Sequence, residues 1–157
     1  LGGNLGICAL YSGTVSAATE AMIMGVPSIA VSLDTYENPD FKPAAKFTRK
    51  FIPQLLEKGL PEGVVLNINV PAVSESEFAG VAITRQGKSR VIEEFDCRQD
   101  PHGRTYYWLA GEMLFEETEE GADCVMIAKK YISVAPIHFD LTHYASLDKL
   151  KDWKIEL

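Results

Sequence analysis

Hydrophobic and polar positions follow one pattern up to about residue 79 and another after it. Val15–Met24 is a run rich in Ala and Met that predicts a helix, with Thr14 as its N-cap and Gly25 as a stop ahead of Pro27. Pro27–Leu33 is a short apolar run of the kind a buried parallel strand uses. Across Phe41–Lys58, apolar side chains at Ala44, Ala45, Phe47, Phe51, Ile52, Leu55 and Leu56 fall on one helical face, interrupted by Pro53 and stopped near Gly59. Val64–Val70 is a second buried-type strand, closed by Pro71. Loop, helix, strand, helix, strand is the tail of a doubly wound α/β domain, so the first half of such a sheet is expected upstream of Leu1.

After Pro71 the spacing shortens. Gly80–Arg85, Val91–Arg98 and Arg104–Leu109 predict strands, and Asp100-Pro101-His102-Gly103 favours a tight turn between the last two, giving a long hairpin. Gly111–Gly121, with five glutamates, is expected as an exposed loop. Asp123–Lys130 is expected as a short helix, Tyr131–His138 as a strand and Ala145–Trp153 as a terminal helix. The expected division is therefore residues 1–79, part of a Rossmann-like domain, and residues 80–157, a hairpin and C-terminal oligomerisation region.

Composition narrows the classes of function. At 157 residues, 46% hydrophobic and 24% charged, the chain has the make-up of an ordinary globular domain. A net charge of −7 argues against a phosphate-backbone footprint, so no nucleic-acid duplex is expected as a partner. No apolar stretch is long enough for a membrane-spanning helix. Leu1 is followed by neither a basic stretch nor a long apolar one, so the start reads as a cut rather than a signal peptide. Cys8, Cys97 and Cys124 form no CxxC pair, which favours free thiols in a reducing cytoplasm over zinc or disulfides.

The best local chemistry is Asn4 followed by Tyr11-Ser12-Gly13-Thr14 at a helix start. The exposed N–H groups and partial positive charge of a helix N-terminus can hold a phosphate. Gly13 allows close backbone approach, and Ser12 and Thr14 add hydroxyls. On spacing alone a plainer reading stands beside it, in which Thr14 only caps the helix and Gly13 only makes the turn. His102, His138 and His143 are scattered; His138 with Asp140 could form an acid–base pair, but alternation favours a histidine at a strand end. The acidic run Glu116–Glu120 lacks cation-ligand spacing and reads as a solvated face.

Longer stretches carry a resemblance. Asn4-Leu5-Gly6, Tyr11-Ser12-Gly13-Thr14-Val15-Ser16-Ala17-Ala18 and Glu20 resemble the signature of the SurE family of 5'/3'-nucleotidases. The likeness continues through Gly25–Leu33, Leu66-Asn67-Ile68-Asn69-Val70-Pro71, Arg98–Gly103 with Tyr107-Trp108, Gly121-Ala122-Asp123 and Tyr131–Thr142. Ile7-Cys8 and Ala21 depart from the pattern, where the family commonly has a polar pair and a glycine. The resemblance implies the second half of a SurE-type Rossmann-like domain and hydrolysis of nucleoside monophosphates with a divalent cation, manganese or magnesium. It implies that Asn4, Ser12, Gly13 and Thr14 form the phosphate side of the pocket. The family's metal ligands (an Asp-Asp pair, a Ser and an Asn) are expected upstream of Leu1, leaving this stretch inactive alone. It also implies a homodimer or homotetramer that exchanges C-terminal elements.

Overall fold

The computed structural model describes residues 2–114 and 118–155. Elements follow in the order α1 (Gly13–Ile23), β1 (Ile29–Asp34), α2 (Lys42–Lys58), β2 (Val64–Pro71), β3 (Gly80–Ile83), β4 (Arg90–Gln99), β5 (Thr105–Leu114), α3 (Asp123–Ala128), β6 (Tyr131–His138) and α4 (Tyr144–Lys151). Short 3-10 turns lie at Gly6–Tyr11 and Glu75–Glu77.

The main sheet has the order β1-β2-β6-β3. β1 runs parallel to β2, as expected of consecutive strands joined by a helix, with Ser32 opposite Asn69. β6 returns antiparallel to β2, and β3 lies parallel to β6. The sheet thus takes β1 and β2 from residues 1–79 and β3 and β6 from residues 80–157. β4 and β5 pair only with each other, from Arg90 opposite Leu114 to Gln99 opposite Thr105, as a separate two-stranded hairpin.

Strand side chains alternate between faces, and the two faces of this sheet differ in kind. On one, Leu33, Leu66, Ile68, Val70, Ile132 and Val134 meet Ala44, Phe47, Phe51 and Leu55 of α2. Ile68 is fully buried there, and truncating such a residue to Ala costs about 2–5 kcal/mol. The other face is apolar only where Ala30 and Val65 receive Ala9, Val15 and Ala18 from the first turn and α1. Beyond them it becomes polar at Ser32, Asn67 and Asn69, all buried. This polar half of the face receives the N-terminal loop.

The structure changes several local expectations. Ser12, not Thr14, caps α1: its backbone is extended and its Oγ accepts the Val15 N–H at 3.1 Å. Pro53 does not interrupt α2, which continues to Lys58 and stops where Gly59 adopts φ 70. β5 reaches Leu114, so the expected loop at Gly111–Gly121 is strand in its first part, while residues 115–117 lie outside the described residues. Apolar Met113 and Leu114 continue the ladder opposite Val91 and Arg90, and the glutamates had obscured this. The tight turn before β5 is as expected, with the Asp100 carboxylate accepting the His102 and Arg104 N–H groups.

Candidate phosphate site

The site is built from the chain segment that crosses the polar half of the sheet. Asn4 is fixed through its backbone. Its N–H donates to Asn69 Oδ1 at 2.7 Å, and its carbonyl accepts from Asn67 Nδ2 at 2.8 Å and Asn69 Nδ2 at 3.3 Å. Its side-chain Nδ2 donates to Ser32 Oγ at 2.5 Å. Asn67 and Asn69 are two apart on β2, so both point to the same face, and Ser32 is level with Asn69 on β1. The sequence reading noted the Asn67–Asn69 pair only as part of a resemblance. Two carboxamides at strand spacing, in a run otherwise apolar, were the available sign of a polar patch beneath a loop.

The chain then runs through the 3-10 turn into α1, which lies on the same face. Helix geometry leaves the first N–H groups without intrahelical partners. Of these, Val15 N–H goes to Ser12 Oγ, while Ser16 N–H makes the first regular helical bond, to the Ser12 carbonyl at 2.9 Å. Gly13 and Thr14 N–H are left to serve something outside the helix. Ser12 is nearly buried, whereas Gly13 and Thr14 are exposed. Thr14 is freed from the capping role expected of it. A Cβ added to Gly13 would meet nothing within 4 Å, so packing within the chain does not require glycine there. Ser12, Gly13 and Thr14 are thus brought together at one helix start, and Asn4 stands at the other end of the intervening turn.

Asp34, at the carboxyl end of β1, escaped the sequence reading, which ended the strand at Leu33. Ligands of doubly wound sheets gather outside the carboxyl ends of the parallel strands, and that rule would have drawn attention to it. Gly2 and Gly3 allow the loop to lie against this strand end. A Cβ on Gly3 would come within 2.4 Å of Asp34 Oδ1, and one on Gly2 within 2.4 Å of the Tyr36 ring. Burial raises the Asp34 carboxyl above its ordinary value, and a hydrogen bond from the Gly3 backbone partly offsets this.

Of the remaining candidates, His138 lines a cavity together with Leu10, Val15 and Ser16. His138 ends β6 exposed to solvent, and Asp140 gives its carboxylate to the Thr142 N–H and the Tyr144 hydroxyl. The Thr142 and Tyr144 hydrogen bonds hold that carboxyl down at about 2, with a smaller contribution from the charge of His138. His102 is exposed in the hairpin turn. Glu119 pairs with Arg85 and Glu120 with Lys129 on the surface. Among the described residues no group of three or more His, Cys, Asp or Glu side chains could hold a metal ion. No helix among them is long and apolar enough to cross a membrane.

An α/β sheet with a polar loop laid over its strands and a helix start beside it defines a Rossmann-like protein. The family model for Survival protein SurE matches residues 1–93, and the chain belongs to that family. It is 44% identical over 155 residues to the 5'-nucleotidase SurE of Syntrophobacter fumaroxidans, covering 99% of this chain and 62% of that protein. The 5'-nucleotidase SurE of Nostoc sp. is 47% identical over 165 residues, with the same coverage. The crystal structure of the SurE protein from Aquifex aeolicus superimposes with a TM-score of 0.79 at 41% identity, covering 96% of this chain and 60% of that one. The chain thus spans about three fifths of the length of the curated relatives it matches.

Proposed function

We propose that this chain forms the phosphate-holding side of a 5'/3'-nucleotidase that hydrolyses nucleoside monophosphates to nucleoside and phosphate. The observation that carries the reading is the start of α1, where Ser12 takes over the capping and leaves Gly13 N–H, Thr14 N–H and the Thr14 hydroxyl facing outward. These donors hold phosphate oxygens, and the helix dipole favours the dianion. As water attacks phosphorus, charge accumulates on those oxygens, and donors already in place stabilise it without reorganising. Ser12 Oγ accepts from Val15 and keeps its own proton to donate.

Asn4 is half-buried, and its Nδ2 donates to Ser32. A half-turn of the amide lets the Ser32 hydroxyl donate instead and aims Nδ2 at the phosphate, with the hydrogen bond to Ser32 retained. The cation implied by the family resemblance, manganese or magnesium, finds no cage among the described residues. The part of the reaction proposed for this chain is holding the phosphate. Three free cysteines suit a reducing compartment, and a cytoplasmic location belongs to the same proposal.

Assembly is the second part of the proposal. The hairpin leaves Phe95, Tyr107, Trp108 and Leu109 exposed, and α4 with its continuation leaves Tyr144, Trp153 and Ile155 exposed. A two-stranded hairpin cannot cover both of its faces, and an eight-residue helix is too short to stand alone. Residues 80–157 therefore supply the contacts of a homodimer or homotetramer through the hairpin and exchanged C-terminal elements.

The test is phosphate release by the complete gene product from 5'- and 3'-nucleoside monophosphates, with manganese or magnesium added. Cation-dependent release is expected. No release from any nucleotide under either cation would overturn the reading.

A further inference from the structure

Asp123 is completely buried, where a carboxylate needs hydrogen-bond donors in place of water. Three backbone N–H groups from three parts of the chain converge on it instead. Oδ2 accepts Gly6 N–H at 2.9 Å, and Oδ1 accepts Gly87 N–H at 2.9 Å and Cys124 N–H at 2.7 Å. Gly6 lies two residues after Asn4 in the loop over the sheet, Gly87 precedes β4, and Cys124 lies in the first turn of α3. A buried carboxylate satisfied by backbone donors makes charge-assisted bonds, roughly twice as strong as neutral ones.

Both glycines fit this geometry. Gly6 has φ +53, and a Cβ there would lie 2.5 Å from the Ser89 carbonyl oxygen. A Cβ on Gly87 would lie 2.7 Å from Asp123 Oδ1 itself. The segment around Gly6 is held at further points: Gln86 Nε2 donates to the Gly6 carbonyl at 2.8 Å, and Ile7 N–H donates to the Ser89 carbonyl at 3.0 Å. Asp123 is thus the charged centre of a clasp that fixes the only chain path between Asn4 and Ser12.

We propose that Asp123 is a positioning residue for the phosphate site: its carboxylate holds the Gly6 loop so that Asn4 and the start of α1 face the same phosphate. The proposal rests on the nucleotidase reading above. It assigns Asp123 no contact with substrate.

Asp123→Asn keeps the shape but turns one accepting oxygen into a donor facing an N–H group. The clasp then loosens on at least one side while the apolar packing is untouched. The complete gene product and its variants are assayed for competitive inhibition by inorganic phosphate, alongside thermal melting and titration of the active fraction. Asp123→Asn is expected to raise the phosphate Ki at least tenfold in the molecules that remain folded. Its effect is also expected to fall short of additivity with Thr14→Val in the double variant. A merely structural residue would lower Tm and the active fraction and leave Ki unchanged, and that result overturns the proposal. If Asp123→Asn does not fold, Gln86→Ala is read in its place, because it frees Gly6 from the carbonyl side without disturbing a buried charge. A raised Ki at unchanged Tm then supports the clasp, and an unchanged Ki overturns it. The two readings fail differently: Thr14→Val with unaltered phosphate Ki removes the phosphate site itself, whereas an effect of Thr14→Val without one at Asp123 removes only the positioning role.

Discussion

The backbone N–H of Asn4 donates to Oδ1 of Asn69 at 2.7 Å, joining the N-terminal loop to the centre of the sheet across a separation of 65 residues. Asn69 is fully buried on β2, and with Asn67 it gives the loop the hydrogen-bond partners that an apolar sheet face would deny it. The polar half of this face is therefore what allows the non-helical segment carrying Asn4 to lie flat on a sheet.

Gly13 separates folding from function. A Cβ there enters open space, and the residue sits at a helical position, so Gly13→Ala is expected to keep or raise stability by up to about 1 kcal/mol. In the proposed site the same methyl group occupies the space through which phosphate would approach the Gly13 N–H. Thermal melting together with steady-state kinetics on the complete gene product checks this. A Tm equal or higher with kcat/KM at least tenfold lower is expected; unchanged kinetics would mean that nothing approaches Gly13 closely.

Much of this could be read in the sequence, and what escaped has physical reasons. β6 runs over Tyr131–His138 as expected, and α2 ends at Lys58 as Gly59 predicts. The choice of cap between Ser12 and Thr14 was not legible, because both hydroxyls suit the position and only backbone conformation decides between them. Asp123 gave no chemical signal beyond its place in the resemblance: its partners Gly6 and Gly87 lie far away in sequence, and backbone donors carry no residue signature. The pairing of β6 between β2 and β3 was equally hidden, since spacing defines strands and not their neighbours.

Asp34 makes a prediction with a definite sign in pH. Burial raises its carboxyl above 3.8, so the folded state prefers the proton more than the unfolded state does. The resulting stabilisation is full below the unfolded value and is lost as pH rises through the folded one. Asp34→Asn removes the burden of the buried charge and is expected to raise Tm at pH 7, with the gain closing as pH falls towards 3.8. Melting curves across that range provide the check. A lower Tm at pH 7 would mean that the hydrogen bond from Gly3 outweighs burial.

The hairpin prediction concerns mass in solution. Tyr107 and Trp108 are adjacent on β5 and so point to opposite faces, both exposed, with the Arg98 guanidinium 5.5 Å from the Trp108 ring centre. Aromatic residues of this kind anchor interfaces. Replacing both with Ser in the complete gene product is expected to give a smaller, still folded species by light scattering. An oligomer of unchanged mass would remove the hairpin from the interface.

Thr14 tests the central claim most directly, because Ser12 already caps α1 and the Thr14 hydroxyl has no capping role to lose. Thr14→Val removes one charge-assisted hydrogen bond to phosphate, worth about 1.5–3 kcal/mol. The measurement is kcat/KM for a nucleoside monophosphate in the complete gene product, with Tm recorded alongside. A drop of roughly tenfold to a hundredfold at unchanged Tm is expected. A folded Thr14→Val variant with undiminished kcat/KM would contradict the claim.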